Sequence, residues 1–438
     1  MEYRSTRGGP AVCIEQAIMS GTAPDGGLYV PCTLPALTPE DFAGRESFAD
    51  IATRFLLPFM SGSSLEAPLP AICAGALDFP VPVRPIESGL AVLELFHGPT
   101  AAFKDVGARF LAATMGHILR EGRHARAPVT ILVATSGDTG GAVAAAFHRR
   151  PGLRVVVLFP AGRVSPRQQH QLSCWGDNVL SLAVEGEFDD CQRLVKAAFA
   201  DPALARAHNL CSANSINVGR LLPQAAYYAR TSLEHHRRTG ERTSFIIPTG
   251  NLGNAFACVW ARHVGLPIDR IVLATNANTT VEDFLATGQW LPRPTVATLA
   301  SAMDVGNPSN MERLRDLCGA GVERVREEVS AVAVSDDAIR ATIRDEYRRN
   351  GSAFCPHTAT ALHAYRHLPV VERANRHWVV VATAHPAKFD TIVEPLLGIT
   401  LEPPAELTRL LALPSHFATI RPELPVLADR LAGWSAHG

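Results

Sequence analysis

A lysine set into an apolar helical stripe is the residue whose surroundings would most alter its chemistry. Lys104 lies in LELFHGPTAAFKDVGARFL, Leu93 to Leu111, where a turn at Gly98-Pro99-Thr100 precedes a segment with no breaker but Gly107. The pattern predicts a helix capped by Thr100, with Lys104 in its first turn. At helical spacing Lys104 aligns with Ala108, Leu111, Met115 and Ile118, an apolar row. An amine held along such a row loses hydration, its pKa falls, and the neutral form that attacks aldehydes is favoured. A lone lysine there has a plainer alternative, which is to snorkel to solvent or pair with a carboxylate.

Two turns supply what such a lysine would need. Gly250-Asn251-Leu252-Gly253-Asn254 follows an apolar run and opens a helical segment. Free N–H groups at a helix N-terminus hold an anion, and glycines let the backbone close on it. The spacing is neither a Walker loop nor GxGxxG. Ser136-Gly137-Asp138-Thr139-Gly140 occupies the same strand-to-helix position after VTILVAT, offering hydroxyls and N–H groups to a second anion of carboxylate size. Thr383, in ATAHPAKF, puts a hydroxyl at the end of the last strand, where open α/β sheets place ligands. A desolvated lysine, a phosphate-sized cradle and a carboxylate-sized cradle at strand ends together suggest pyridoxal phosphate and an amino-acid substrate.

The elements that must position these groups alternate. Strands are expected at VTILVAT, VVVLFP, NVLSLAVEG, SFIIP, RIVLATNA and HWVVVATAH, with helices between them. Alternation implies α/β architecture with parallel sheets. A long helix is expected after Asn217, ending in HHRRTG, whose charge suits a helix C-terminus. The first ninety residues are rich in proline and glycine and form a small N-terminal region, with GGLYVP as a short edge strand and Pro68 to Pro85 as a connection wrapping the surface.

The 438 residues suffice for two domains, and 47% hydrophobic with 19% charged content is that of a soluble globular protein. A formal net charge of -1, evenly mixed, gives no field to attract nucleic acid or anionic lipid. The nine cysteines contain no CxxC pair and read as reduced thiols of a cytoplasmic protein, with neither a metal cluster nor a disulfide framework. MEYRSTRGGP lacks an apolar targeting core, and no run approaches a membrane span.

The motifs YRSTRG, GTAPDGGLYVP, ELFHGPTAAFKD, TSGDTGGAVAAAF, GRVSPRQQ, EGEFDDCQ, SANSINVGRLLPQ, PTGNLGN and TAHPAKF occur in the order found in the threonine synthase family. The chain resembles that family over nearly its whole length. The resemblance implies pyridoxal-phosphate fold type II: two open, twisted, mostly parallel sheets covered by helices, with the small N-terminal region. It implies domains at 1–90, at 91–128 with 217–438 (the large, cofactor-holding one), and at 129–216. Lys104 would be the Schiff-base lysine and proton shuttle. Gly250, Asn251, Leu252, Gly253 and Asn254 would hold the cofactor phosphate, and Thr383 the pyridine nitrogen. Ser136, Gly137, Asp138 and Thr139 would face the substrate, with Asn217 beside substrate and cofactor.

The family reaction converts O-phosphohomoserine and water to threonine and phosphate, so the expected partner is a small phosphorylated amino acid. Arg109, Arg163, Arg167 and Arg220 are candidate cations for its phosphate. The family often carries lysines around GRVSPRQQHQL, where this chain has Ala161 and His170. Two other readings stay open: a phospho-lyase on the same scaffold that releases a 2-oxo acid, and a non-catalytic descendant that only binds.

Overall fold

The computed structural model describes residues 1–121, 128–319 and 321–434. Residues 122–127 of the expected 91–128 segment, and 320 and 435–438 of the 217–438 segment, lie outside the described residues. Two sheets carry the architecture. The larger has six strands, in spatial order Ser330–Ala333, Ile268–Thr275, Thr243–Pro248, His377–Ala382, Leu90–Glu94 and Val83–Glu87. All its pairings are parallel except the last, where Val83–Glu87 runs antiparallel at the edge. Pro85 is tolerated there because an edge strand has a side with no ladder to complete. The smaller sheet has five parallel strands, Ala418–Ile420, Val179–Val184, Leu153–Pro160, Val129–Ala134 and Leu210–Cys211. Strands such as Val129–Ala134 and Thr243–Pro248 are buried throughout, as helices on both faces require.

Four expectations are corrected. The stretch from Pro68 to Pro85 does more than wrap a surface. It contains a helix, Leu69–Ala76, that buries Leu69, Ile72, Cys73 and Ala76, with its prolines at the start, where a missing N–H costs nothing. The helix after Asn217 is not continuous: Val218–Leu221 passes into a 3-10 turn, Leu222–Gln224, before Ala225–Thr239. Pro223 lacks the N–H that an uninterrupted helix would need. Thr100 does not cap the Lys104 helix, which runs Lys104–Glu121. Instead the Asp105 carboxylate accepts from the Thr100 N–H at 2.8 Å and from its Oγ1 at 2.7 Å, tying the turn back to the helix. Finally, strand Ala418–Ile420 returns to the smaller sheet, pairing with Val179–Val184, rather than staying with the large one.

The N-terminal region is tied to the rest by charge and shape. Tyr3–Ser5 and Tyr29–Pro31 form an antiparallel pair. From it Arg4 reaches Asp316 at 2.9 Å and Arg7 reaches Glu312 at 2.9 Å, both on helix Met311–Cys318. Buried Arg313 of that helix donates to Tyr29 O at 3.1 Å and to Ser215 O at 3.1 Å, linking the region to the centre of the molecule. No helix among the described residues is long and apolar enough to cross a membrane. The nine cysteines are free thiols, seven of them buried.

Candidate active site

Three adjacent strands of the large sheet deliver its loops to one place. The glycine turn follows Thr243–Pro248, Thr383 follows the neighbouring His377–Ala382, and the Lys104 turn follows Leu90–Glu94 on its other side. The Ser136 turn follows Val129–Ala134 of the smaller sheet. All four stand at carboxyl ends of parallel strands. An inner cavity is lined by Lys104, Asp138, Arg220, Thr383, His357 and residues Pro248 to Asn254. An outer one is lined by Lys104, Ser136, Thr139, Lys196, Asn214 and Ser309 among others. Lys104, Ser215, Asn251 and Ala302 belong to both. Lys104 therefore stands at the junction.

Its position is fixed by backbone. Ala102 bridges Ala384, Phe103 N donates to Thr383 O at 2.8 Å, and His385 N donates to Ala101 O at 3.1 Å. Ala101 takes a left-handed φ of 55° to make that turn. The apolar row is as the sequence predicts: Ala108, Leu111 and Met115 are wholly buried. Lys104 itself is half-buried, open only toward the cavities. Burial, aided by the neighbouring Arg220 and opposed by Asp138, brings its pKa down to about 7. A large share of its amine is neutral at physiological pH.

The glycine turn is shaped for an anion. A Cβ on Gly250 would lie 2.7 Å from Met303 Cα and 2.8 Å from its carbonyl oxygen, so only glycine lets the two backbones approach. Leu252 is held at φ 61° as the helix Gly253–His263 begins, leaving the first N–H groups of that helix without intrahelical acceptors. Asn254 Oδ1 accepts from Tyr228 OH at 2.7 Å and from Tyr227 OH, which leaves Asn254 Nδ2 buried with no partner. Arg220 is buried in the same wall, bonded to Ala213 O but to no carboxylate among the described residues. Burial lowers its pKa to about 10, with distant Asp105 partly opposing. An unneutralised guanidinium, an orphaned amide and a helix N-terminus all face one space.

The Ser136 turn divides between the cavities. Ser136 and Thr139 line the outer one, whereas Asp138 lines the inner one. Asp138 Oδ1 accepts from Gln168 Nε2 at 2.9 Å and pairs with Lys388 Nζ at 2.8 Å. Burial pushes the Asp138 carboxyl up, but Lys388, with His357 and Gln168 adding to it, holds it below its ordinary value. Gly137, at φ 143°, packs on Gln168, whose amide a Cβ would meet at 2.6 Å, and lines neither cavity.

Asn217 is also misplaced by the sequence reading. It caps a helix, accepting from Gly219 N and donating to Ile18 O and Ser212 O, and reaches neither cavity. Asn214 and Ser215 of the same motif stand there instead. Three of the four candidate arginines are engaged elsewhere: Arg109 with Asp78, Arg163 with Glu187 on the surface, and Arg167 with Asp390. Ala161 and His170, where the chain departs from the family pattern, line neither cavity, and His170 contacts Leu410 O at 3.2 Å. Lys388 and His357 were missed. Their only sequence signal was membership of TAHPAKF and of a helix start at Pro356.

A family model described as pyridoxal-phosphate dependent enzyme matches residues 85–384. Threonine synthase N-terminal and C-terminal models match residues 2–77 and 358–429. Threonine synthase of Escherichia coli K12 is 40% identical over 419 residues, covering 94% of this chain and 96% of that one. The chain belongs to the threonine synthase family. Its fold is pyridoxal-phosphate fold type II, superposing on the crystal structure of the Escherichia coli threonine synthase with TM-score 0.89 at 37% identity and 99% coverage of each chain. A pyridoxal-phosphate-bound threonine synthase from Brucella melitensis gives TM-score 0.89 at 35% identity, with 98% of each chain covered.

Pyridoxal phosphate, the cofactor of the threonine synthase family, fits the residues present. The helix N-terminus, the buried Asn254 amide and Arg220 are suited to hold its phosphate, a partly neutral lysine is suited to its aldehyde, and Thr383 lines the same cavity.

Proposed function

We propose that this site converts O-phospho-L-homoserine and water to L-threonine and phosphate, with Lys104 as the cofactor-linked lysine and proton carrier. The observation that carries the reading is the placement of Lys104. It is the one ionisable group lining both the phosphate-shaped inner cavity and the outer cavity among the described residues. Bound pyridoxal phosphate supplies an electron sink conjugated to the substrate's Cα.

The chain supplies the rest. Gly250, Asn251, Leu252, Gly253, Asn254 and Arg220 hold the cofactor phosphate, so Arg220 serves the cofactor rather than the substrate. Lys104 takes the Cα proton and then one from Cβ, and phosphate leaves Cγ. The departing phosphate carries off one proton and Cγ receives another, and water adds its hydroxyl at Cβ while its remaining proton goes to Cα. Ser136 and Thr139 orient the substrate from the outer cavity. Thr383 offers the ring nitrogen a neutral hydroxyl, which cannot enforce a ring proton as a carboxylate would. Phosphate departure then draws the reaction forward. Thr383→Val should leave cofactor bound and slow turnover about tenfold, the worth of one hydrogen bond. A wild-type rate in that variant, by phosphate-release assay, would remove Thr383 from the role.

The substrate phosphate falls to Lys196. It projects from helix Phe188–Ala200 into the outer cavity, is exposed, and makes no ion pair among the described residues. Lys196→Ala should raise KM for O-phosphohomoserine about tenfold or more, as loss of a charge-assisted hydrogen bond implies, with the cofactor spectrum unchanged. An unchanged KM would assign the phosphate to another group.

The same reading places the protein in the cytoplasm, in keeping with its unbridged thiols. It divides the chain at 1–90, 91–128 with 217–438, and 129–216, with strand Ala418–Ile420 joining the smaller unit.

A further inference from the structure

The imidazole of His357 is a buried polar group in the inner cavity wall that none of these roles uses. His357 lies in the first turn of helix Pro356–Arg366, is 2% exposed, and packs its ring on Phe389 at 4.9 Å. Its Nε2 accepts the Ala302 N–H at 3.1 Å, so the ring proton must sit on Nδ1. That Nδ1–H is buried and has no partner among the described residues. Burial, with Lys104 and Lys388 adding to it and Asp138 opposing, lowers the ring's pKa to about 4. The imidazole therefore stays a neutral donor throughout the physiological range. A buried donor without an acceptor is costly, and a ligand that supplies the acceptor accounts for its retention in a cavity wall.

Pyridoxal phosphate has four polar handles. Lys104, the glycine turn with Arg220, and Thr383 account for the aldehyde, the phosphate and the ring nitrogen. The fourth, the phenolic oxygen, lies on the ring between the nitrogen and the aldehyde, away from the phosphate. The inner cavity wall also presents two buried polar groups, Asp138, a carboxylate already held by Lys388 and Gln168, and His357. A carboxylate repels an anionic oxygen, whereas an N–H receives it.

We propose that His357 is a further cofactor-binding residue, donating its Nδ1–H to the phenolic oxygen of pyridoxal phosphate and so fixing the ring's orientation at Lys104. The proposal rests on the assignment of Lys104 as the cofactor lysine. Through the Ala302–His357 bond it also ties to the cofactor the 3-10 turn Ser301–Met303, whose Ala302 lines both cavities.

Two variants separate donor position from ring packing. His357→Asn keeps an N–H near the place of Nδ1, whereas His357→Gln puts it near Nε2. Each is loaded with pyridoxal phosphate without substrate, its visible spectrum recorded and its cofactor affinity titrated by fluorescence, with thermal melting of the unloaded proteins as a folding control. The Gln variant should shift absorbance toward the shorter-wavelength form, in which the phenolic oxygen keeps its proton, and weaken cofactor binding about tenfold. The Asn variant should stay close to wild type. A wild-type spectrum and affinity in the Gln variant, or an Asn variant displaced as far as Gln, would overturn the proposal. Failure of the Lys104 assignment would show separately, as a Lys104→Ala protein that keeps the lysine-linked band.

Discussion

Lys104→Ala should lose turnover by about 10³-fold or more, since one residue both anchors the cofactor and carries protons at Cα and Cβ. The loaded variant should lack the visible band of lysine-linked cofactor. Stopped-flow mixing of unloaded wild-type protein with pyridoxal phosphate gives the companion result. Burial brings the Lys104 pKa from 10.5 to about 7, so capture should quicken as pH rises through about 7 and level off above it, because only the neutral amine attacks. Linkage has the same sign. Between about 7 and 10.5 the unfolded chain holds a proton that the folded lysine has released, so the unloaded protein should gain stability with pH across that window. The alanine variant should lose that gain. A retained lysine-linked band in Lys104→Ala would place the linkage elsewhere.

Lys388→Met should destabilise the fold by about 3–5 kcal/mol, as removal of one partner from a buried ion pair does. Lys388 and Asp138 are 0% and 4% exposed in their side chains and 2.8 Å apart. Methionine would leave the buried carboxylate with Gln168 as its one remaining hydrogen-bond donor among the described residues, and would take from Thr100 O the Lys388 Nζ donor at 2.8 Å, leaving it Gln171 Nε2 at 3.1 Å. Lys388 joins the segment after Thr383 to the turn before Lys104 through Thr100 O and to the Ser136 turn through Asp138, so cofactor affinity should fall with stability. Adding Asp138→Asn to Lys388→Met should recover part of the loss, because the stranded charge is then removed. Urea unfolding measures both. A loss below about 1 kcal/mol for Lys388→Met would mean that the charges are screened, as in exposed pairs.

What the sequence makes legible here is local. The Lys104 stripe is a matter of helical period, and the glycine turn and Thr383 lie next to their strands in the chain, so their position at sheet ends follows from strand recognition alone. The Lys388–Asp138 pair is invisible at that level, because the two residues meet only when the smaller sheet docks on the larger. Asn217 was drawn toward the cofactor by its motif. Its amide instead satisfies the carbonyls of nearby Ser212 and of Ile18, the latter brought there only by the packed N-terminal region. Thr100 and Asp105 show a smaller version: the spacing gives the contact, but the carboxylate receives the threonine's hydrogens rather than the threonine capping the helix. Strand Ala418–Ile420 is three residues long and gains its identity from pairing with Val179–Val184, not from its own pattern.

The reaction itself is tested most directly by NMR of the products formed when protein loaded with pyridoxal phosphate is given O-phospho-L-homoserine. The expected result is threonine and phosphate in equal amounts, with the threonine hydroxyl oxygen drawn from labelled water. Phosphate accompanied by 2-oxobutyrate would contradict it, leaving the lysine and the cradle in place but making the site a phospho-lyase.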